Sequence, residues 1–166
     1  KKLEQLMLLG EKAFIQEDSI ARVYPNGNLF SHVIGQIDND NNGISGIEKT
    51  FDYELTTSKE PLKLTLNKDL QYLIKEELSK SEDIFKNIGS AAILMDINNG
   101  NILSMVSLPD FDLNKRKKIN DVKYINRATK GVYEFGSVFK TFTLAAGLQY
   151  NVVQPETEFK DLKKKI

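Results

Sequence analysis

Ser137 and Lys140 stand three residues apart in Tyr133-Glu134-Phe135-Gly136-Ser137-Val138-Phe139-Lys140, a spacing that puts a hydroxyl and an amine on one face of a helix. A serine hydroxyl is a weak nucleophile at neutral pH and needs a base. A lysine amine becomes that base when burial or nearby positive charge lowers its pKa. Val138, Phe139 and Phe142 are the apolar side chains placed to desolvate Lys140. Phe139, Phe142, Thr143, Ala146 and Tyr150 recur at helical spacing, which predicts a helix from about Ser137 with Gly136 as its flexible entry. The unpaired N–H groups and partial positive charge of such a helix start suit an oxyanion. By itself Ser-x-x-Lys equally describes an N-cap followed by a solvated lysine, so the surrounding text must decide.

Other chemistries are bounded by what the chain contains. His32 is the only histidine and cysteine is absent, so a Ser-His-Asp triad, a multi-histidine metal site and a disulfide framework cannot be built from these residues. His32 reads as structural. Asp38, Asp40, Asn42 and Gly43 match the first half of an EF-hand loop, but its twelfth position is Lys49 and no amphipathic helix leads in. That cluster reads as a solvated turn, and no metal or cofactor is expected. Basic and acidic residues number 23 each, which argues against a general electrostatic grip on nucleic acid, and the run Lys115-Arg116-Lys117-Lys118 is too short to change that. No apolar run reaches the length of a membrane span, and the first residues lack a signal-peptide core, so any anchor lies outside this sequence. Both ends read as cut, Leu3, Leu6, Met7 and Leu8 as the last turns of a helix and Asp161–Ile166 as a stop without a closing element.

The elements that must position the pair divide near residue 60. Before it, polar turns at Pro25-Asn26-Gly27-Asn28 and 38–43 separate short segments, Phe14-Ile15, Val23-Tyr24 and His32-Val33-Ile34, giving an irregular, partly β module. Beyond it, Leu62, Leu64 and Leu66 alternate as a half-buried strand, Asn67 caps, and Leu70, Leu73, Ile74 and Leu78 predict a helix from Lys68 to about Lys80. Residues 91–97 and 102–107 are apolar runs flanking Asn98-Asn99-Gly100-Asn101, a hairpin signal, and their apolarity on both faces predicts a central position in a sheet covered on both sides.

The text around the serine resembles the nucleophile segment of the high-molecular-weight class B penicillin-binding proteins, the monofunctional D,D-transpeptidases: Asn126-Arg127-Ala128, then Tyr133 through Lys140, with Phe135 where the family usually has proline. Arg22-Val23-Tyr24-Pro25-Asn26-Gly27, His32-Val33-Ile34-Gly35 and Gly43 through Glu48 with Phe51-Asp52 and Leu55 look like the paired blocks of that family's N-terminal pedestal. Leu64 to Asn67, Leu70-Gln71, Asp96 to Gly100, Ile102-Leu103, Ser107, Pro109, Phe111-Asp112 and Asn114 look like the opening of its transpeptidase domain.

The resemblance implies an α+β fold. Residues 1–60 would be a truncated, non-catalytic pedestal used for interdomain packing and partner contacts. Residues 61–166 would be the first part of a serine β-lactamase-like transpeptidase domain with a central antiparallel sheet and helices. Ser137 would be the nucleophile and half of the oxyanion hole through its N–H, Lys140 the general base, and Arg22, Glu48, Asn126 and Arg127 structural residues between modules, with Arg22 and Glu48 paired to each other or to the catalytic domain. Peptidoglycan stem peptides ending in D-Ala-D-Ala and β-lactams would be the ligands, a glycosyltransferase of the division or elongation machinery the partner, and the extracytoplasmic face of a bacterial inner membrane the location. The family's Ser-x-Asn and Lys-Thr/Ser-Gly motifs do not occur here, which predicts that this chain alone is inactive. A β-lactam sensor or β-lactamase-type acyl-serine protein and a non-enzymatic division or elongation scaffold are the alternatives.

Overall fold

The computed structural model describes residues 4, 5, 8, 10, 21–115 and 121–160. The expected N-terminal helical turns at Leu3, Leu6 and Met7, the Phe14-Ile15 segment, Arg116 to Lys118 of the basic run and the last six residues lie outside that set. Residues 1–131 gather into one compact unit and 132–166 into a second.

The first unit is built on one helix and one hairpin. Asn67 accepts the N–H groups of Asp69 and Leu70, both at 3.0 Å, and so starts the helix α4, Lys68–Phe85. It runs five residues past the expected end and stops where Lys86 turns left-handed at φ 53°. Strands β1, Ser90–Met95, and β2, Ile102–Leu108, pair antiparallel with Ile93 opposite Met105. The turn between them is closed by Asp96, whose carboxylate accepts from Asn98 N–H at 2.9 Å and from Asn99 Nδ2 at 2.8 Å. The Asn98 N–H bond, more than the Asn98 and Asn99 amides, holds the Asp96 carboxyl below its usual range.

Two expectations change here. The sheet has two strands among the described residues, and β1 is not covered on both faces: Ile93 and Met95 are about half exposed, while Val106 and Leu108 of β2 are buried with Ile37, Phe111 and Leu113. Helix α4 packs chiefly on β2, so β2 carries the core and β1 forms the margin. Residues 62–66 are not a strand. They run beside β2 with one bond, Thr65 Oγ1 to Ile102 C=O, before Asn67 N–H bonds Leu103 C=O, and Leu62 and Leu64 stay more than one-third exposed.

The 21–57 region carries three short helices, α1 Ser31–Ile34, α2 Gly46–Thr50 and α3 Asp52–Thr57, in place of the expected short strands. Only Ile37 and Gly43 make a β-bridge there. The chain passes itself at Gly35 and Gly46, both at positive φ. A Cβ on Gly35 would meet the Ser45 carbonyl and one on Gly46 the Val33 carbonyl, so only glycine permits the crossing. Within the 38–43 turn Asp38 accepts from the N–H groups of Asp40 and Asn42, and Gly43 N–H is held by the Asp52 carboxylate.

Polar ties bind this region to the hairpin and its continuation. Asn114 accepts from Tyr24 N–H at 3.0 Å and donates to Tyr24 C=O at 2.9 Å, Asn28 donates to Asp110 at 3.2 Å, and Asp110 pairs with Lys75 of α4 at 2.6 Å. His32 is buried, its Nε2 2.7 Å from Lys123 C=O and its ring edge-on to Phe111. With a carbonyl as partner, Nε2 carries the proton and Nδ1 is free to accept from Ser31 Oγ.

Burial holds the His32 pKa below its ordinary 6.5, assisted by Arg127 and opposed by the Lys123 carbonyl and Asp110. The unfolded chain therefore takes up the proton first as pH falls. The His32 contribution to stability is complete above about 6.5, declines through the window just beneath it and levels off below the folded pKa. Urea midpoints measured across that window are expected to fall with pH. In His32→Gln, which retains a donor for Lys123 but does not titrate, this part of the slope disappears.

Candidate active site

Gly136 enters the site at φ 53° with open space around it, and Gly136–Phe139 form a 3-10 turn that passes into helix α6, Lys140–Gln149. The predicted helix start is thus one tight turn followed by regular helix. Ser137 lies in the tight turn and Lys140 is the first residue of α6, three positions on, a spacing that places both on one face across the junction. Lys140 N–H closes onto the Ser137 carbonyl, which fixes the two backbones relative to each other.

Ser137 and Lys140 are both exposed, and neither side chain has a hydrogen-bond or ionic partner among the described residues. The apolar sheath expected around the lysine is not closed within residues 132–166. Phe139 and Phe142 stack at 5.5 Å, yet both rings, like Val138, remain more than half exposed. One ten-residue helix with a turn at each end has too few side chains to enclose them. What returns on the helix is at its far end, where Val152 and Val153 N–H bond the Gly147 carbonyl.

The four residues read as structural lie in the first unit. Arg22 and Glu48 form an ion pair at 3.0 Å, Glu48 almost wholly buried and Arg22 about one-third exposed. Asn126 caps helix α5, Arg127–Lys130, by accepting Ala128 N–H at 3.0 Å, and its amide reaches the His32 carbonyl at 3.4 Å. Arg127 donates its backbone N–H to Ser107 Oγ at 3.0 Å and a guanidinium N–H to the Ile88 carbonyl at 3.4 Å. The guanidinium fills the space where Gly89 lacks a Cβ. Sequence reading missed the Lys75–Asp110 pair and the role of Gly89, since neither belongs to a local pattern.

Removing Arg22 leaves a buried carboxylate without its cation. Arg22→Ala is expected to cost about 1–3 kcal/mol, the worth of a hydrogen bond to a charged group, and the exchange Arg22→Glu with Glu48→Arg to recover part of it. Chemical denaturation of the single and double variants measures both.

Residues 90–166, which include Ser137 and Lys140, match the family model described as penicillin binding protein transpeptidase domain. The probable peptidoglycan D,D-transpeptidase FtsI of Caulobacter vibrioides is 33% identical over 155 residues, spanning 91% of this chain. The chain belongs to the class B penicillin-binding proteins. Stage V sporulation protein D of Bacillus subtilis is also 33% identical, over 90% of this chain. Penicillin binding protein 3 from Mycobacterium tuberculosis superposes on 84% of it with a TM-score of 0.70 at 25% identity, aligning with 34% of that structure's chain. The chain spans 26% and 27% of the lengths of the first two relatives, about a quarter of a class B protein. The solved structures confirm the α+β class, a mixture of helices with an antiparallel sheet.

Proposed function

We propose that this chain is the acylating part of a peptidoglycan D,D-transpeptidase that cross-links stem peptides through a serine ester and is inhibited by β-lactams. The observation that carries the reading is Ser137 in the 3-10 turn three positions before Lys140, the first residue of α6, inside the stretch that matches the transpeptidase family. Ser137 Oγ attacks the carbonyl of the penultimate D-alanine while Lys140 takes its proton. The terminal D-alanine leaves and an amine of a neighbouring stem resolves the ester. The Ser137 N–H, at the start of the turn, is one donor to the oxyanion.

In this reading residues 1–60 are the pedestal and 61–166 the opening of the catalytic domain. Arg22, Glu48, Asn126 and Arg127 hold the junction between them. The protein works at the extracytoplasmic face of a bacterial inner membrane beside a glycosyltransferase of division or elongation. Among the described residues no helix is long and apolar enough to cross a membrane, so the membrane anchor in this proposal is a segment other than these. The name of the Caulobacter relative, probable peptidoglycan D,D-transpeptidase FtsI, supports the wall-building role.

Intact-mass spectrometry of the full-length protein after exposure to a penicillin tests the reading. A long-lived adduct mapped to the peptide containing Ser137 is expected. Rapid loss of the adduct points to the β-lactamase-type alternative, and no adduct on a folded protein gives the scaffold alternative the lead.

A further inference from the structure

Three Asn-Gly dipeptides, Asn26-Gly27, Asn42-Gly43 and Asn99-Gly100, sit in turns of the first unit. A glycine has no Cβ to shield its nitrogen from the preceding side chain, so each pair can in principle cyclise. The fold does not leave them equivalent. Asn42 donates its side-chain amide to Asp38 Oδ2 at 2.9 Å, and the attacking nitrogen of Gly43 is held by the Asp52 carboxylate at 2.8 Å. Asn99 donates to Asp96 Oδ2 at 2.8 Å and accepts Asn101 N–H at 2.8 Å. In both turns a carboxylate fixes the amide and its negative charge opposes the amide anion that must attack. Asn26 is exposed, and its side-chain amide has no hydrogen-bond partner among the described residues. Gly27 N–H meets only the Tyr24 carbonyl, at 3.0 Å.

We propose that Asn26 is a spontaneous modification site, selected from the three by its untethered side chain, where the chain ages to isoaspartate. Gly27 N bonds to Asn26 Cγ as its proton passes to solvent, and the Cγ–Nδ2 bond breaks with loss of ammonia to give a five-membered succinimide. Water then opens either imide carbonyl, leaving aspartate or isoaspartate at position 26. Isoaspartate adds one methylene to the backbone between points the fold fixes on both sides. Tyr24 N–H and C=O are held by Asn114, Asn28 by Asp110 and the Leu29 carbonyl by Gln71. A longer path between these points cannot keep all four bonds, so modification loosens the 24–29 turn from the hairpin side of its unit.

The test ages full-length protein at mildly alkaline pH, folded and in urea, and quantifies isoaspartate by peptide mapping. In urea the three sites are expected to convert at comparable rates. In the folded protein position 26 is expected to supply most of the early product, with positions 42 and 99 slowed several-fold. Equal rates at the three sites in the folded state, or earlier conversion at 42 or 99, overturn the proposal. Hydrogen exchange at residues 24–29 is expected to quicken in the aged protein and stay unchanged in equally aged Asn26→Gln. Unchanged exchange in modified protein would refute the loosening.

Discussion

Full-length protein carrying Ser137→Ala is expected to form no penicilloyl ester, and its transpeptidation to fall by about 10⁶-fold, the scale of loss when the nucleophile of an acyl-serine enzyme is removed. Lys140→Ala slows acylation by about 10²–10⁴-fold, the range for a missing general base. Lys140→Arg does not rescue it, because a guanidinium keeps its proton and cannot accept one from Ser137. Residues that act as one unit are not additive, so the double variant is no slower than Ser137→Ala. Time-resolved intact-mass measurement with a penicillin reads all four rates. Folding serves as the control: both side chains are exposed in their own unit, and substitutions at such positions change stability by roughly 0.5 kcal/mol or less. An adduct surviving in Ser137→Ala would move the nucleophile elsewhere. Wild-type rates in Lys140→Ala would remove the base from the proposal while leaving the serine.

Local chemistry was legible in the sequence where the deciding partners lie a few residues apart. The Asn67 cap, the hairpin about Asn99-Gly100 and the turn at Gly136 all depend on such neighbours, and each stands where the pattern puts it. What failed depends on distant partners. The apolar stripe of α4 marks Leu73 as a core residue, yet it is 56% exposed, whereas Gln71, which looks like surface, is 1% exposed. Periodicity counts side chains along one helix and cannot see that carbonyls at positions 29 and 105 await a donor there. The same blindness turned 62–66 into a strand: alternation describes a face, but a ladder needs a neighbour along its whole length. At the candidate site the order of Gly136, Ser137 and Lys140 was readable. The desolvation assigned to Val138, Phe139 and Phe142 was not, because burial is a property of what packs on a residue.

Gln71 therefore yields the largest stability prediction. Its Nε2 donates to the carbonyls of Leu29 and Met105, both at 2.9 Å, and its Oε1 accepts Ser104 Oγ at 2.8 Å and Met105 N–H at 2.9 Å. All donors and both acceptor sites of the amide are used, so one side chain joins α4, β2 and the 24–29 turn. Gln71→Leu leaves up to four of these groups unpaired where water is excluded. At about 1–3 kcal/mol for each unsatisfied group, with partial relaxation, the expected loss is about 3–5 kcal/mol. Gln71→Glu is no remedy, since a carboxylate cannot donate and would face the Leu29 and Met105 carbonyls. Urea denaturation of full-length variants, followed by a probe within residues 21–115, measures the effect. Hydrogen exchange should place the first loosening at residues 24–29 and 104–106, where the lost bonds converge. A loss below about 1 kcal/mol would mean that water replaces the amide at no more than the cost of one ordinary hydrogen bond, and that the 24–29 turn is held by its Asn114 and Asp110 ties instead.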